Sequence, residues 1–200
     1  MDSGLQLLGP ITRLQIQTAA LKTGVKPHER YDPGALLVVE TLTLTPAGAE
    51  ARGPHGEPVL DVHHLRHPQT RQYQGENALS LGFTAHYAAM RARFGAVVAP
   101  GCAGENLIVE TAQPVTPAQV RGGVFIQTSG RPAPVRLAQI QVAAPCRPLT
   151  RYLLGAEPAE GEDLKAALQF LGDGRRGFYA ALAEAGPVPV ALGDLVFVAA

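Results

Sequence analysis

Apolar and polar positions alternate along this chain in short runs, and glycine or proline closes most of them. The first strand is predicted over Ile11 to Gln17, where Ile11, Leu14 and Ile16 are apolar. Thr18 to Gly34 then carries Lys22, Lys26, His28 and Arg30 among glycine and proline, which predicts a long connecting loop. Leu36 to Thr45 begins as a continuous apolar run and turns into Thr41-Leu42-Thr43-Leu44-Thr45, a period of two that predicts a strand ended with the help of Pro46. Between Ala47 and Arg71, turns give way to the polar cluster Leu60-Asp61-Val62-His63-His64-Leu65-Arg66-His67. Asn77 to Phe94 reads as helix in its later part, since Phe83, Tyr87, Met90 and Phe94 share one helical face and Gly95 is a plausible stop.

Further on, a glycine-rich turn at Gly101-Cys102-Ala103-Gly104 feeds a short strand that ends near Glu110. Strands follow at Val124 to Thr128 and Val135 to Val142, and the alternation of the second slips between Leu137 and Ile140, which marks a bulge. Two amphipathic helices are predicted next, one from Leu164, Ala167, Leu168 and Leu171 and one from Phe178, Ala181, Leu182 and Ala185. Gly172 to Gly177 is the loop between them, and Leu195 to Val198 is the terminal strand. Many strands with glycine-bearing turns and few helices predict a mainly β protein, an antiparallel barrel rather than a doubly wound sheet.

Composition narrows the function classes. The 200 residues suit a single domain, with 22 glycines and 17 prolines making it turn-rich but not low in complexity. Lys and Arg (17) balance Asp and Glu (17), so no global field gathers nucleic acid or an acidic membrane, and any anionic ligand must be held by local groups. Met1 to Pro10 lacks the basic start and apolar run of a secretion signal, and no stretch is long enough to span a membrane. A cytoplasmic protein is expected, with Cys102 and Cys146 as free thiols.

Candidate chemistry centres on Ala144-Pro145-Cys146-Arg147-Pro148-Leu149. Two prolines predict a stiff, extended corner that fixes the direction of Cys146. The neighbouring cation of Arg147 favours the thiolate, the form that attacks electrophiles, binds metals and holds a transferable sulfur. The alternative is a small buried hydrophobe, a common fate of free cysteine.

Four stretches then resemble, in order and spacing, the MOSC family, named for the C-terminal domain of molybdenum cofactor sulfurases. They are Gly104-Glu105-Asn106-Leu107, Pro145-Cys146-Arg147, Gly174-Arg175-Arg176-Gly177-Phe178-Tyr179 and Gly193-Asp194 before the last strand. The likeness spans the chain as one MOSC-like domain over residues 1–200 and is best supported over 95–200. It implies a β-barrel whose cysteine, here Cys146, carries sulfur or lies beside the metal of a bound molybdopterin. The family's Gly-Asp-x-His element is matched only by Leu60-Asp61-Val62-His63, with leucine in place of glycine. The chain resembles the short, stand-alone bacterial members, having no room for a pyridoxal-phosphate domain.

The resemblance assigns Cys146 as catalytic thiol and metal ligand. It makes Arg147, Arg175, Arg176, Glu105, Asn106, Asp61 and His63 cofactor-binding residues. Arg175 and Arg176, in a glycine-rich loop expected to open a helix, suit phosphate, or else form a solvated surface. Glu105 and Asn106 could bond pterin nitrogens or stabilise their own turn, Asn106 being the more structural. His63, His64 and His67 are not read as a zinc site, because neighbours on extended chain point to opposite sides. His63 is instead expected in the Cys146 pocket, as proton donor or as a ligand to the cofactor's phosphate. Cys102 is expected to pack, with resolution of a persulfide as a further role.

Three readings follow. The first is a molybdenum cofactor-binding protein that handles sulfur through Cys146 or reduces N-hydroxylated compounds, with an electron donor or molybdoenzyme as partner. The second is a non-catalytic carrier of cofactor or persulfide sulfur. The third is a thiol hydrolase or transferase with His63 or His64 as base.

Overall fold

The computed structural model describes residues 4–70, 75–155 and 161–200. Arg71, the end of the predicted turn-rich segment, lies outside them. The strands are β1 (Leu5–Gln17), β2 (Lys22–Thr23), β3 (Arg30–Tyr31), β4 (Leu36–Val39), β5 (Thr41–Thr45), β6 (Gly48–Arg52) and β7 (Pro58–Leu60), then β8 (Leu79–Phe83), β9 (Leu107–Val109), β10 (Val124–Gln127), β11 (Val135–Val142), β12 (Phe178–Leu182), β13 (Val188–Ala191) and β14 (Leu195–Ala199). Among the described residues, four α-helices punctuate them: α1 (Thr84–Phe94), α2 (Pro117–Val120), α3 (Arg147–Leu154) and α4 (Gly161–Leu171).

Seven strands close a barrel in the order β1-β14-β10-β11-β12-β8-β9, with β9 returning to β1. Closure pairs the two ends of the chain, Leu5 opposite Ala199 and Pro10 opposite Leu195. The interior is filled by inward-facing residues of each strand, among them Ile11, Leu14, Leu81, Phe83, Val124, Val135, Phe178 and Val196. A smaller sheet, β13-β5-β6-β7, packs Leu42, Leu44 and Ala49 against the same core. A second cluster, including Tyr31, Met90, Cys102, Leu149 and Leu153, lies beneath α3 and the β2–β3 hairpin. Among the described residues, no helix is long and apolar enough to cross a membrane.

The mainly β architecture matches the pattern of the sequence but departs from the expected elements at several points: Thr18 to Gly34, expected as a loop, holds the β2–β3 hairpin, and Phe83 ends β8 instead of lying on the helix. β8 and β9 run parallel, because α1 and the turn before Gly104 carry the chain back across the barrel between them. Leu36 to Thr45 divides at Glu40 into β4, which pairs with β1, and β5, which joins the other sheet. Arg147 to Leu154 forms a helix although it follows Pro145 and contains Pro148, since a proline in the first turn lacks only an N–H that the helix cannot use. Phe178 to Leu182, predicted as helix, is strand β12, paired with β11 on one side and β8 on the other. The bulge in β11 falls where the alternation slips, with Gln139 at φ 53° and a register shift between Ala138 and Gln141.

Candidate functional site

β11 delivers the chain to Cys146, which is half-buried, extended at φ −118° and ψ 147°, and placed at the start of α3. The backbone carbonyl of Cys146 accepts from the N–H of Thr150 (3.0 Å) and from its hydroxyl (2.9 Å). Its thiol makes no capping bond to the helix, so the sulfur is not consumed by local structure. The other wall of the site is the β2–β3 hairpin, which leans on α3 through Tyr31 and Tyr152, their rings 5.5 Å apart. Arg151 of α3 also reaches the hairpin, donating to the Pro27 carbonyl at 3.3 Å.

Between these walls opens a cavity of about 750 Å³ lined by Cys146, Arg147, Pro148, Arg151, Lys22, Lys26, Pro27 and Glu29. Four cations face one carboxylate there, although the chain as a whole carries no net charge. Lys22 and Glu29 also line an adjoining cavity of about 350 Å³, whose walls include Gln17, Tyr31, His63, Asn77, Arg176 and Tyr179. A narrow recess of about 10 Å³ continues from its floor between Arg176, Tyr179, His63, Glu105 and Ser80. A separate, mostly apolar hollow of about 360 Å³ between β1 and α1 shares no lining residue with this cleft and is lined by no cysteine, histidine, lysine or carboxylate.

Arg176 is the pivot of the cleft. Burial opposes its charge, but the Tyr179 phenol, Cys146 and Tyr31 nearby more than offset that, and its pKa is raised. One of its terminal nitrogens donates to the Tyr179 hydroxyl at 3.3 Å. Its Nε is buried with no hydrogen-bond partner, and so is the Asn77 side-chain oxygen in the same cavity wall. A buried donor and a buried acceptor left unpaired on one cavity are costly unless a ligand or water completes them. The loop holding Arg176 is fixed by glycine: Gly177 sits at φ +116°, and a Cβ there would lie 2.5 Å from the Leu81 carbonyl oxygen.

Arg175 does not line the cleft. Its guanidinium stacks 4.3 Å from the Phe170 ring, with Arg93 at 4.7 Å on that ring, and it donates to the Phe170 carbonyl. The loop precedes a strand rather than the expected helix, so no helix N-terminus backs the two arginines. Arg147 is exposed on the rim beside Cys146.

The Gly-Glu-Asn turn is mainly internal. Gly104 adopts φ +92°, where a Cβ would lie 2.8 Å from Gln17 Nε2. Asn106 is buried, accepts from the Ser80 N–H (3.0 Å) and hydroxyl (2.9 Å), and donates to Asp61 at 2.8 Å. Glu105 accepts from the Tyr87 hydroxyl at 2.6 Å, and burial pushes its pKa up. Of the two, only Glu105 reaches the recess beneath Arg176.

Asp61 is fully buried, and both its oxygens are saturated. Oδ2 accepts from Gln17 N (2.8 Å) and Asn106 Nδ2 (2.8 Å), while Oδ1 accepts from His63 N (2.9 Å) and meets His63 Nδ1 (2.9 Å). His63 in turn faces the cleft, its ring 6.2 Å from that of Tyr179. The other two histidines diverge: His64 Nε2 meets Glu50 at 3.1 Å, and His67 Nε2 meets the Thr18 carbonyl at 3.3 Å. Among the described residues, no group of His, Cys, Asp and Glu is arranged to hold a metal ion by itself. Cys102 is buried, and burial, with Glu105 second, pushes its thiol up to about 12.

With this geometry in place, the family model for the MOSC domain matches residues 62–197. The chain belongs to the MOSC family. The match starts at Val62, so it takes in His63, Glu105, Cys146 and Arg176 but not the hairpin residues that face them. Solved structures share the fold. YuaD from Bacillus subtilis superposes with a TM-score of 0.60 at 13% identity over 97% of both chains. A hypothetical protein superposes at 0.53 and 16% identity over 98% of this chain and 70% of its own. YiiM from Escherichia coli superposes at 0.50 and 18% identity over 82% of this chain and 65% of its own. No curated protein sequence matches it.

Sequence reasoning missed Lys22, Lys26, Tyr31 and Asn77 as cleft residues. The two lysines were visible as charges in a supposed loop. Their convergence on Cys146 depends on the hairpin packing against α3, which no local pattern encodes.

Proposed function

We propose that this MOSC protein binds molybdenum cofactor in the cleft and uses Cys146 to handle sulfur or to reduce N-hydroxylated compounds. One observation carries the reading: a half-buried thiol lines a cation-rich cavity that adjoins a second one walled by Arg176 and Asn77, each of which also holds a buried polar atom without a partner. The residues fit the group. A thiolate is a soft ligand suited to molybdenum, Lys22, Lys26 and Arg147 suit an anionic phosphate, and the Arg176 and Asn77 atoms suit the mixed donors and acceptors of a pterin edge. When bound, the cofactor would supply the redox chemistry. The protein's part is to hold it, orient it and control protons around it.

Reduction also requires an electron-donor partner. The two free cysteines suit a reducing, cytoplasmic setting. The open rim on which Cys146 lies also supports the second reading, a carrier that passes cofactor or persulfide sulfur to a molybdoenzyme. The test is the protein purified from cells that make the cofactor, assayed on an N-hydroxylated amidine with a reduced viologen. Turnover lost in Cys146→Ala supports the reductase. Cyanide-labile sulfur lost in Cys146→Ala and kept in Cys102→Ala, without turnover, supports the carrier. Neither turnover nor labile sulfur would contradict both.

A further inference from the structure

We infer that Asp61 and His63 form a proton-delivery dyad in this cleft, with His63 as a catalytic acid and Asp61 as its positioning residue. The inference rests on the reductase reading above and adds the source of the proton. Three N–H donors, the main-chain groups of Gln17 and His63 and the Asn106 amide, already converge on the Asp61 carboxylate, an acceptor-only group when ionised, and its remaining position faces His63. The His63 Nδ1 contact at 2.9 Å is therefore an N–H donated to the carboxylate. That places the second ring nitrogen, Nε2, as the atom left for the cleft, and the side chain is 28% exposed there.

A buried carboxylate on Nδ1 fixes the ring's orientation and leaves Nε2 as the atom that exchanges a proton with the cleft. In the protonated ring Nε2 carries the proton that such a dyad can give, and in the neutral ring it is an acceptor that can take one back. The neighbouring Tyr179 ring packs against His63 and limits its rotation.

The step balances. In the reduction of R–NH–OH, the N–O bond breaks and two electrons from a one-electron donor, a reduced viologen in the assay, reduce the nitrogen. The departing oxygen takes the Nε2 proton and leaves as water. Nitrogen takes its second proton from solvent, and solvent in the open cavity reprotonates His63.

Two measurements test the dyad. In the purified protein, ¹⁵N NMR of His63 in its neutral form is expected to show the proton on Nδ1; a proton on Nε2 overturns the dyad, whether or not cofactor is present. In cofactor-loaded protein, His63→Gln is expected to keep wild-type molybdenum content and lose about 10²- to 10⁴-fold in kcat, and His63→Gly to be partly rescued by added imidazole. Unchanged kcat, or loss of molybdenum in His63→Gln, would overturn the acid role, the latter by making His63 a cofactor holder. Wild-type protein without molybdenum would overturn the reductase reading, and with it the proton's destination, while leaving the NMR result to judge the dyad.

Discussion

Cys102 and Cys146 are chemically opposite although both border the second hydrophobic cluster. Cys102 is sealed, and a thiol pushed up to about 12 stays protonated at pH 8, so it should not react with a bulky disulfide reagent in the native state. Cys146 lines an open cavity and should react. Ellman's reagent at pH 8 is therefore expected to titrate one thiol in native protein and two in denaturant, with the native signal lost in Cys146→Ala and kept in Cys102→Ala. Two fast native thiols would contradict the burial of Cys102. Gly177 offers a second test at this scale: Gly177→Ala meets the Leu81 carbonyl oxygen at φ +116° and should cost about 1–3 kcal/mol in urea denaturation. At this scale the sequence was legible for Cys146, because prolines and a cation are local signals. It was not legible for Arg175, whose neighbour in the chain enters the cleft while it stacks on Phe170.

The elements that position the site are joined by buried polar groups, and two of these give stability predictions. Asp61 ties β1 to the turns that carry His63 and Asn106. Asp61→Ala leaves several buried N–H groups unpaired, each worth about 1–3 kcal/mol, so it should lose more than about 3 kcal/mol in chemical denaturation. His86 fastens α1 to the segment after β9, its Nε2 accepting from Val115 N at 2.9 Å. Burial lowers its pKa from 6.5 to about 4, with the Val115 carbonyl, 3.0 Å from Nε2 and able to accept from a protonated ring, opposing and Arg175 adding to the shift. Between those values the unfolded chain binds a proton that the folded one does not. Stability should therefore be full above pH 6.5, fall as pH drops towards 4 by on the order of 3 kcal/mol, and level off below. His64, lowered chiefly by burial, acts in the same direction. Urea midpoints measured from pH 7.5 to 4.5, with the His86 NMR titration alongside, check the slope, and a flat profile would contradict it. The misread β12 shows where element patterns fail. Phe178, Ala181, Leu182 and Ala185 satisfy a helical stripe, while Phe178, Ala180 and Leu182 satisfy a strand face, and only pairing with β8 and β11 selects between them.

At the scale of the whole molecule, barrel closure brings the ends of the chain together, and the cleft is built from segments far apart in sequence. Lys22, Lys26 and Tyr31 come from the N-terminal hairpin, His63 and Asn77 from the middle, Cys146 and Arg176 from the last third. In the C-terminal half the turns were readable from sequence because glycine and proline dictate them, while β12 and the direction of Arg175 were not. The N-terminal wall was not, since its contribution is a matter of packing between a two-residue hairpin and α3. We propose that these segments converge on one site for an anionic, metal-bearing pterin with Cys146 at its reactive end. The most direct test is metal and pterin analysis of protein purified from cells able to synthesise molybdenum cofactor, alongside Cys146→Ala and Arg176→Ala. Molybdenum and pterin are expected to approach one per wild-type chain and to be strongly reduced in Arg176→Ala, with the metal also reduced in Cys146→Ala. Wild-type protein free of both, or variants that retain both undiminished, would contradict it.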